Sequence, residues 1–167
     1  AAQGIAGLNG KVGLGVTDTG IHVSYDGMAD FEAPDLFGLP PSLAGSYAIA
    51  VPDLSIVDDV LAASDIRVAK DGLASITVSA RMTLDATDLT ADGNIVLDPG
   101  TAALADLPIA FQAAQIDFQA SATLPTVKAD VKISAQNIDG AGNTVGGLAA
   151  NLSASGALDQ RIALTAD

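Results

Sequence analysis

The chain has no cysteine, no tryptophan, one histidine and one glutamate. Without cysteine there is no disulfide and no thiolate metal site, and the redox compartment is left open. Cations are scarce as well: seven Lys and Arg stand against twenty acidic residues, for a formal net charge of −13. Nucleic-acid binding needs Lys and Arg to neutralise phosphates, and docking on anionic headgroups needs the same charges, so the balance argues against both. No apolar run is long enough to cross a bilayer as a helix. Glu32 is the sole glutamate, and the remaining acid is aspartate. Aspartate is poor inside strands and good in turns, which favours a sheet protein with many bends.

Catalytic groups are missing in the same way. His22, between Ile21 and Val23, has no second imidazole with which to hold a metal or share proton transfer. Asp58, Asp59 and Asp65 do not follow the spacing of a twelve-residue calcium loop. No serine sits in a G-x-S-x-G elbow, and no G-x-G-x-x-G opens a helix. The chain is expected to be no enzyme and to carry no metal or cofactor.

What is present is alternation. In residues 115–124 (QIDFQASATL), Ile116, Phe118, Ala120, Ala122 and Leu124 alternate with polar residues. After Pro125, residues 127–135 (VKADVKISA) repeat the pattern through Val127, Ala129, Val131, Ile133 and Ala135. A period of two marks a strand with one apolar and one polar face. The same period runs through residues 8–16, 21–25, 43–51, 76–86, 148–154 and 162–166. Turns are predicted at residues 17–20, 26–27, 70–72, 92–94 and 139–143 from their Asp and Gly. Residues 28–41 predict a loop, with a helical turn at 35–37, and a second helical turn is predicted behind Thr101. Residues 52–65 (PDLSIVDDVLAASD) predict a short helix, capped by Asp53 and carrying Leu54, Val57 and Leu61 at helical spacing.

The fold class is therefore all-β, with long antiparallel-type strands and one or two short helices at most. Almost half the residues are apolar, yet only 4% are aromatic, and much of the apolar mass is alanine. A sandwich layer about 10 Å thick is hard to fill with such side chains. The apolar side either closes with difficulty or stays open as a trough. Both alternating ends, at Ala1 and Asp167, lead to the expectation that residues 1–167 are a single section of a longer repetitive protein.

Three stretches carry a family resemblance: residues 43–55 (LAGSYAIAVPDLS), 139–148 (DGAGNTVGGL) and 152–167 (LSASGALDQRIALTAD), the last opening on L-x-A-x-G-x-L. A small-residue strand, a Gly-rich turn and a further alternating strand in this order resemble the repetitive body of TamB-like proteins, within the AsmA-like group. The resemblance implies a curved β-taco, an open groove whose concave face is apolar, in the periplasm of a Gram-negative bacterium. It implies a parent protein anchored in the inner membrane, and an outer-membrane β-barrel partner of the TamA/BamA type. It also implies that phospholipid acyl chains are sheltered and conducted between the two membranes in support of outer-membrane biogenesis.

On this reading the groove is lined by Ile76, Val78, Met82, Leu84, Phe111, Ile116, Phe118, Leu124, Val131, Ile133, Leu148 and Leu152, with no fixed charge among them to read a headgroup. The competing reading is a closed β-sandwich, a structural or adhesive module of an acidic cell-surface protein.

Overall fold

The computed structural model describes residues 5–31, 44–99, 109–140, 142–157 and 163–166. Among them there are eleven strands and no helix: β1 (Ile5–Val16), β2 (Gly20–Phe31), β3 (Gly45–Val57), β4 (Val60–Lys70), β5 (Ala74–Thr83), β6 (Asp88–Leu97), β7 (Ile109–Ala110), β8 (Ala113–Thr123), β9 (Thr126–Gly140), β10 (Asn143–Ala157) and β11 (Ala163–Ala166). All belong to one open antiparallel sheet in the order β1-β2-β3-β4-β5-β6-β8-β9-β10-β11. The short β7 pairs with β9 in the register that β8 continues: Ile109 faces Gly140, and Ala113 faces Gln136. The two are thus one strand interrupted at Phe111 and Gln112. With β7 and β8 counted as one strand, each strand pairs with those before and after it in sequence, so the sheet is a meander.

The predicted helix over residues 52–65 is instead a hairpin. Asp58 and Asp59 both take positive φ, 49° and 60°, and join β3 to β4 as a two-residue turn. Aspartate tolerates the left-handed region, and two such residues match the twist of the flanking strands. The helical spacing of Leu54, Val57 and Leu61 arises because a bulge and a turn interrupt the period of two.

That bulge is the extra residue at Pro52–Asp53, where the β2–β3 register shifts between Val23 and Tyr25. β4 carries a matching extra residue at Ser64–Asp65, where its register with β5 shifts between Ala63 and Ile66. Asp65 has φ 52°, and its amide donates to Ser79 Oγ at 3.1 Å. Because both strands bulge at the same level, Asp53 still faces Ser64 and the β3–β4 ladder keeps one register throughout.

Two predicted turns fall in mid-strand. Asp26-Gly27 lies inside β2 and Asp92-Gly93 inside β6. In both places the glycine permits a close approach: a Cβ on Gly27 would meet the Asn9 carbonyl oxygen at 2.3 Å and the Tyr25 hydroxyl at 2.6 Å, and one on Gly93 would meet Phe118 Cζ at 2.5 Å. The predicted loop also starts later, since Met28 to Phe31 complete β2. The predicted helical turns at 35–37 and behind Thr101 lie outside the described residues.

Every substantial contact between elements joins ladder neighbours. Among the described residues, no layer faces the sheet, and only Ala29 and Leu73 are buried apolar residues. The closed sandwich would need a second sheet packed about 10 Å away; the open single sheet does not supply it.

Candidate functional site: the apolar face

Residues paired across an antiparallel ladder share a face, so the register assigns each side chain to a side. From β4 to β10 one face is made of level rows running across the strands. One row is Ile66, Val78, Gly93, Phe118, Val131, Leu152, and the next outward is Val68, Ile76, Ile95, Ile116, Ile133, Ala150. On the other side stand Leu61, Met82, Leu89, Ala122, Val127, Gly156.

Between them runs a row of alanine alone: Ala63, Ala80, Ala91, Ala120, Ala129, Ala154. Its methyls form a low floor with larger side chains along both sides, except at Gly93 on one side and at Ala122 and Gly156 on the other. Six strands at a spacing of about 4.8 Å make this row roughly 24 Å long. Phe118 does not obstruct it, because its ring lies towards Gly93, within its own row.

Of the twelve predicted groove residues, nine lie on this face: Ile76, Val78, Met82, Ile116, Phe118, Val131, Ile133, Leu148 and Leu152. The other three lie outside the strands. Leu84 and Leu124 occupy turns and are each 50% exposed; their amides donate to Asp59 and Thr87 and so extend the neighbouring ladders by one step. Phe111 sits at the interruption between β7 and β8. Alternation alone does not show where a strand ends.

The apolar face is not wholly without charge. Lys70, opposite Ala74 at the end of β4, stands on it, with Nζ donating to the Ala44 carbonyl and lying 5.3 Å from the centre of the Tyr47 ring. Tyr47 in turn meets Phe31 edge-on at 5.1 Å. The expectation of a face without fixed charge therefore fails at its β4–β5 rim.

The opposite face is polar. Its level rows include Ser79, Asp92, Gln119, Asp130, Ser153 and Thr77, Asn94, Asp117, Lys132, Asn151. Asn94 Nδ2 and Gln115 Nε2 donate to Asp117 Oδ1 at 2.6 and 2.8 Å, and Ser153 Oγ donates to Asp130 at 2.6 Å. The Gln115 and Asn94 amides, followed by the Lys132 charge, hold the Asp117 carboxyl below the usual carboxylate range.

Two hollows of about 580 and 510 Å³ open on this face, the first lined by Asp92, Asp117, Asp130 and Lys132, the second by Ser55, Ser64, Ser79 and Arg81. The first has carboxylates and an ammonium in its wall, whereas the second also includes Val57, Val60 and Ala62 and is the more apolar of the two. His22 is also on this face, where Asp53, brought round by the β3 bulge, lies 3.0 Å from its Nδ1. That pair was invisible in the sequence because Asp53 read as a helix cap. Among the described residues no group of His, Cys, Asp or Glu could hold a metal ion. No family model, curated protein or solved structure matches the chain.

Proposed function

We propose that the apolar face shelters phospholipid acyl chains, and that the chain is a section of a periplasmic, TamB-like groove protein that conducts lipid between the inner and outer membranes. The observation that carries this reading is the alanine row, half-buried except at the exposed Ala80, uncovered by any facing layer among the described residues and flanked mostly by larger apolar side chains. At roughly 24 Å it exceeds the ~15 Å that one leaflet contributes to a ~30 Å hydrocarbon core. Each methylene moved from water onto such a face contributes about 0.8 kcal/mol, so a two-chain lipid could be held without polar recognition. The row runs across the strands, along the direction in which a meander grows. From β4 to β10 its floor repeats the same methyl, so a chain sliding along that part meets similar contacts at each step; on β3, β2 and β1 the same row rises to Leu54, Val23 and Leu14. Curling of the sheet into a trough with this face on its concave side, an inner-membrane anchor, and a barrel partner of the TamA/BamA type complete the proposal; they rest on the resemblance in texture.

The test is native mass spectrometry of the chain purified without detergent from bacterial membranes, followed by titration with phosphatidylethanolamine and phosphatidylglycerol. Retained or rebound lipid is expected. A chain that stays free of lipid at every ratio, with its strand content intact, overturns the reading.

A further inference from the structure

The bulges in β3 and β4 form a unit. Each sets two residues where the flanking strand has one: Pro52 and Asp53 lie against Ser24 of β2, and Ser64 and Asp65 against Ser79 of β5. In both strands the two bulge residues fall between neighbours on the apolar face, Val51 and Leu54 in β3 and Ala63 and Ile66 in β4. The extra residue therefore lengthens the polar side alone. Each bulge is also tied to the strand outside it. Asp53 Oδ1 lies 3.0 Å from His22 Nδ1, and the Asp65 amide donates to Ser79 Oγ at 3.1 Å. Proline lacks the N–H that a ladder uses and is tolerated inside a sheet only at such a place, where Pro52 stands on the interior strand β3. Asp65 is held in the left-handed region at φ 52°, a cost that strand pairing does not require. With β3 and β4 each one residue shorter, both faces and the registers from β2 to β5 would be kept.

We propose that the paired bulges are a crease that turns the apolar face inward, and that the bend raises a wall at one end of the alanine floor; the proposal rests on the lipid-holding reading above. A bulge bends its strand, and a strand made longer on its polar side bends towards its apolar side. One bulge alone would put β3 and β4 out of step. Two at one level let both strands bend together, with Asp53 still facing Ser64. The crease also falls where the floor changes. Ala63 is the last alanine of the row on this side, and its partner across the ladder is Leu54, the residue that follows the β3 bulge. The Asp53–His22 and Asp65–Ser79 ties hold the crease from both flanks.

Deletion of Pro52 and of Asp65, singly and together, in the whole chain tests the proposal. Urea midpoints followed by circular dichroism read the coupling of the bulges, and native mass spectrometry after titration with phosphatidylethanolamine reads the lipid. Each single deletion is expected to lower the midpoint, because one strand then keeps an extra residue with no counterpart in the other. The double deletion should recover the wild-type midpoint and strand content. It should nevertheless hold lipid roughly fourfold less tightly or worse, the worth of about one methylene returned to water. Leu54→Ala, which keeps the crease and lowers the wall, should lose lipid in the same direction. A double deletion no more stable than the single ones, or one that holds lipid as wild type does, would overturn the crease, and unchanged retention in Leu54→Ala would overturn the wall. A wild type that holds no lipid would instead overturn the reading on which both rest, and that failure shows before any deletion is made.

Discussion

Phe118 on β8 lies against Gly93 on β6, its ladder partner, so closely that a Cβ on Gly93 would come within 2.5 Å of the ring. The same Cβ would meet the Thr77 carbonyl oxygen at 2.6 Å, and backbone cannot turn aside as a side chain can. The glycine thus seats an aromatic side chain flat on the sheet, beside the alanine row and clear of it.

Gly93→Ala should destabilise the sheet by about 1–3 kcal/mol, the usual cost of overpacking. A urea titration followed by circular dichroism would show it as a lowered midpoint. In a Phe118→Leu background the loss should be smaller, and equal losses in the two backgrounds would mean that the ring does not rest there.

Filling the alanine row tests its role apart from folding. Ala120→Phe places a ring on the floor between Ala91 and Ala129, where among the described residues no facing layer exists to clash with it. Ala120 is half-buried, so stability should fall by at most about 1–3 kcal/mol with strand content intact, while lipid retention falls. Ser121→Phe, on the opposite face of the same strand, should leave lipid retention unchanged. If both substitutions act alike, the row has no special part in holding lipid.

The Asp117 carboxyl is held below the usual carboxylate range, first by the Gln115 amide, then by Asn94, with Lys132 adding its charge. A carboxyl whose pKa is lower in the folded state contributes stability above its ordinary pKa and loses it as pH falls through the lowered value. Urea midpoints measured between about pH 2 and pH 5 should therefore fall less steeply with acid in Asp117→Asn than in wild type. An unchanged slope would show that these amides do not discriminate between the two protonation states.

The Asp58-Asp59 turn holds two non-glycine residues in the left-handed region, where Asn-Gly is the favoured pair. Asp58→Asn combined with Asp59→Gly should raise stability by about 0.5–1 kcal/mol, through relief of the backbone and of two adjacent charges. The measurement is the denaturation midpoint. A decrease would mean that the carboxylates make contacts worth more than that relief.

Strand identity was legible wherever the period of two ran on unbroken, as in β8 and β9 around Phe118 and Val131. It was lost where one extra residue shifted the phase: Pro52–Asp53 and Ser64–Asp65 turned a bulged hairpin into an apparent helix. Gly27 and Gly93 misled for a different reason. An Asp-Gly pair signals a turn through positive φ, whereas these two glycines provide space for Tyr25 and Phe118, and the neighbour that needs the space lies on another strand or further along its own. The level rows were beyond sequence reading altogether. Ala63 and Ala154 belong to one line only because five successive ladders each set one alanine opposite the next, and no local signal encodes that.

The meander has a further consequence for how the molecule behaves as a material. Since among the described residues each strand leans on the two beside it, energy is stored hairpin by hairpin and the cooperative unit can be short, as in other one-dimensional arrays. Such a ribbon folds by zippering from any hairpin, with few distant segments to bring together. Its length can change by duplication or loss of a whole hairpin without redesign of what remains.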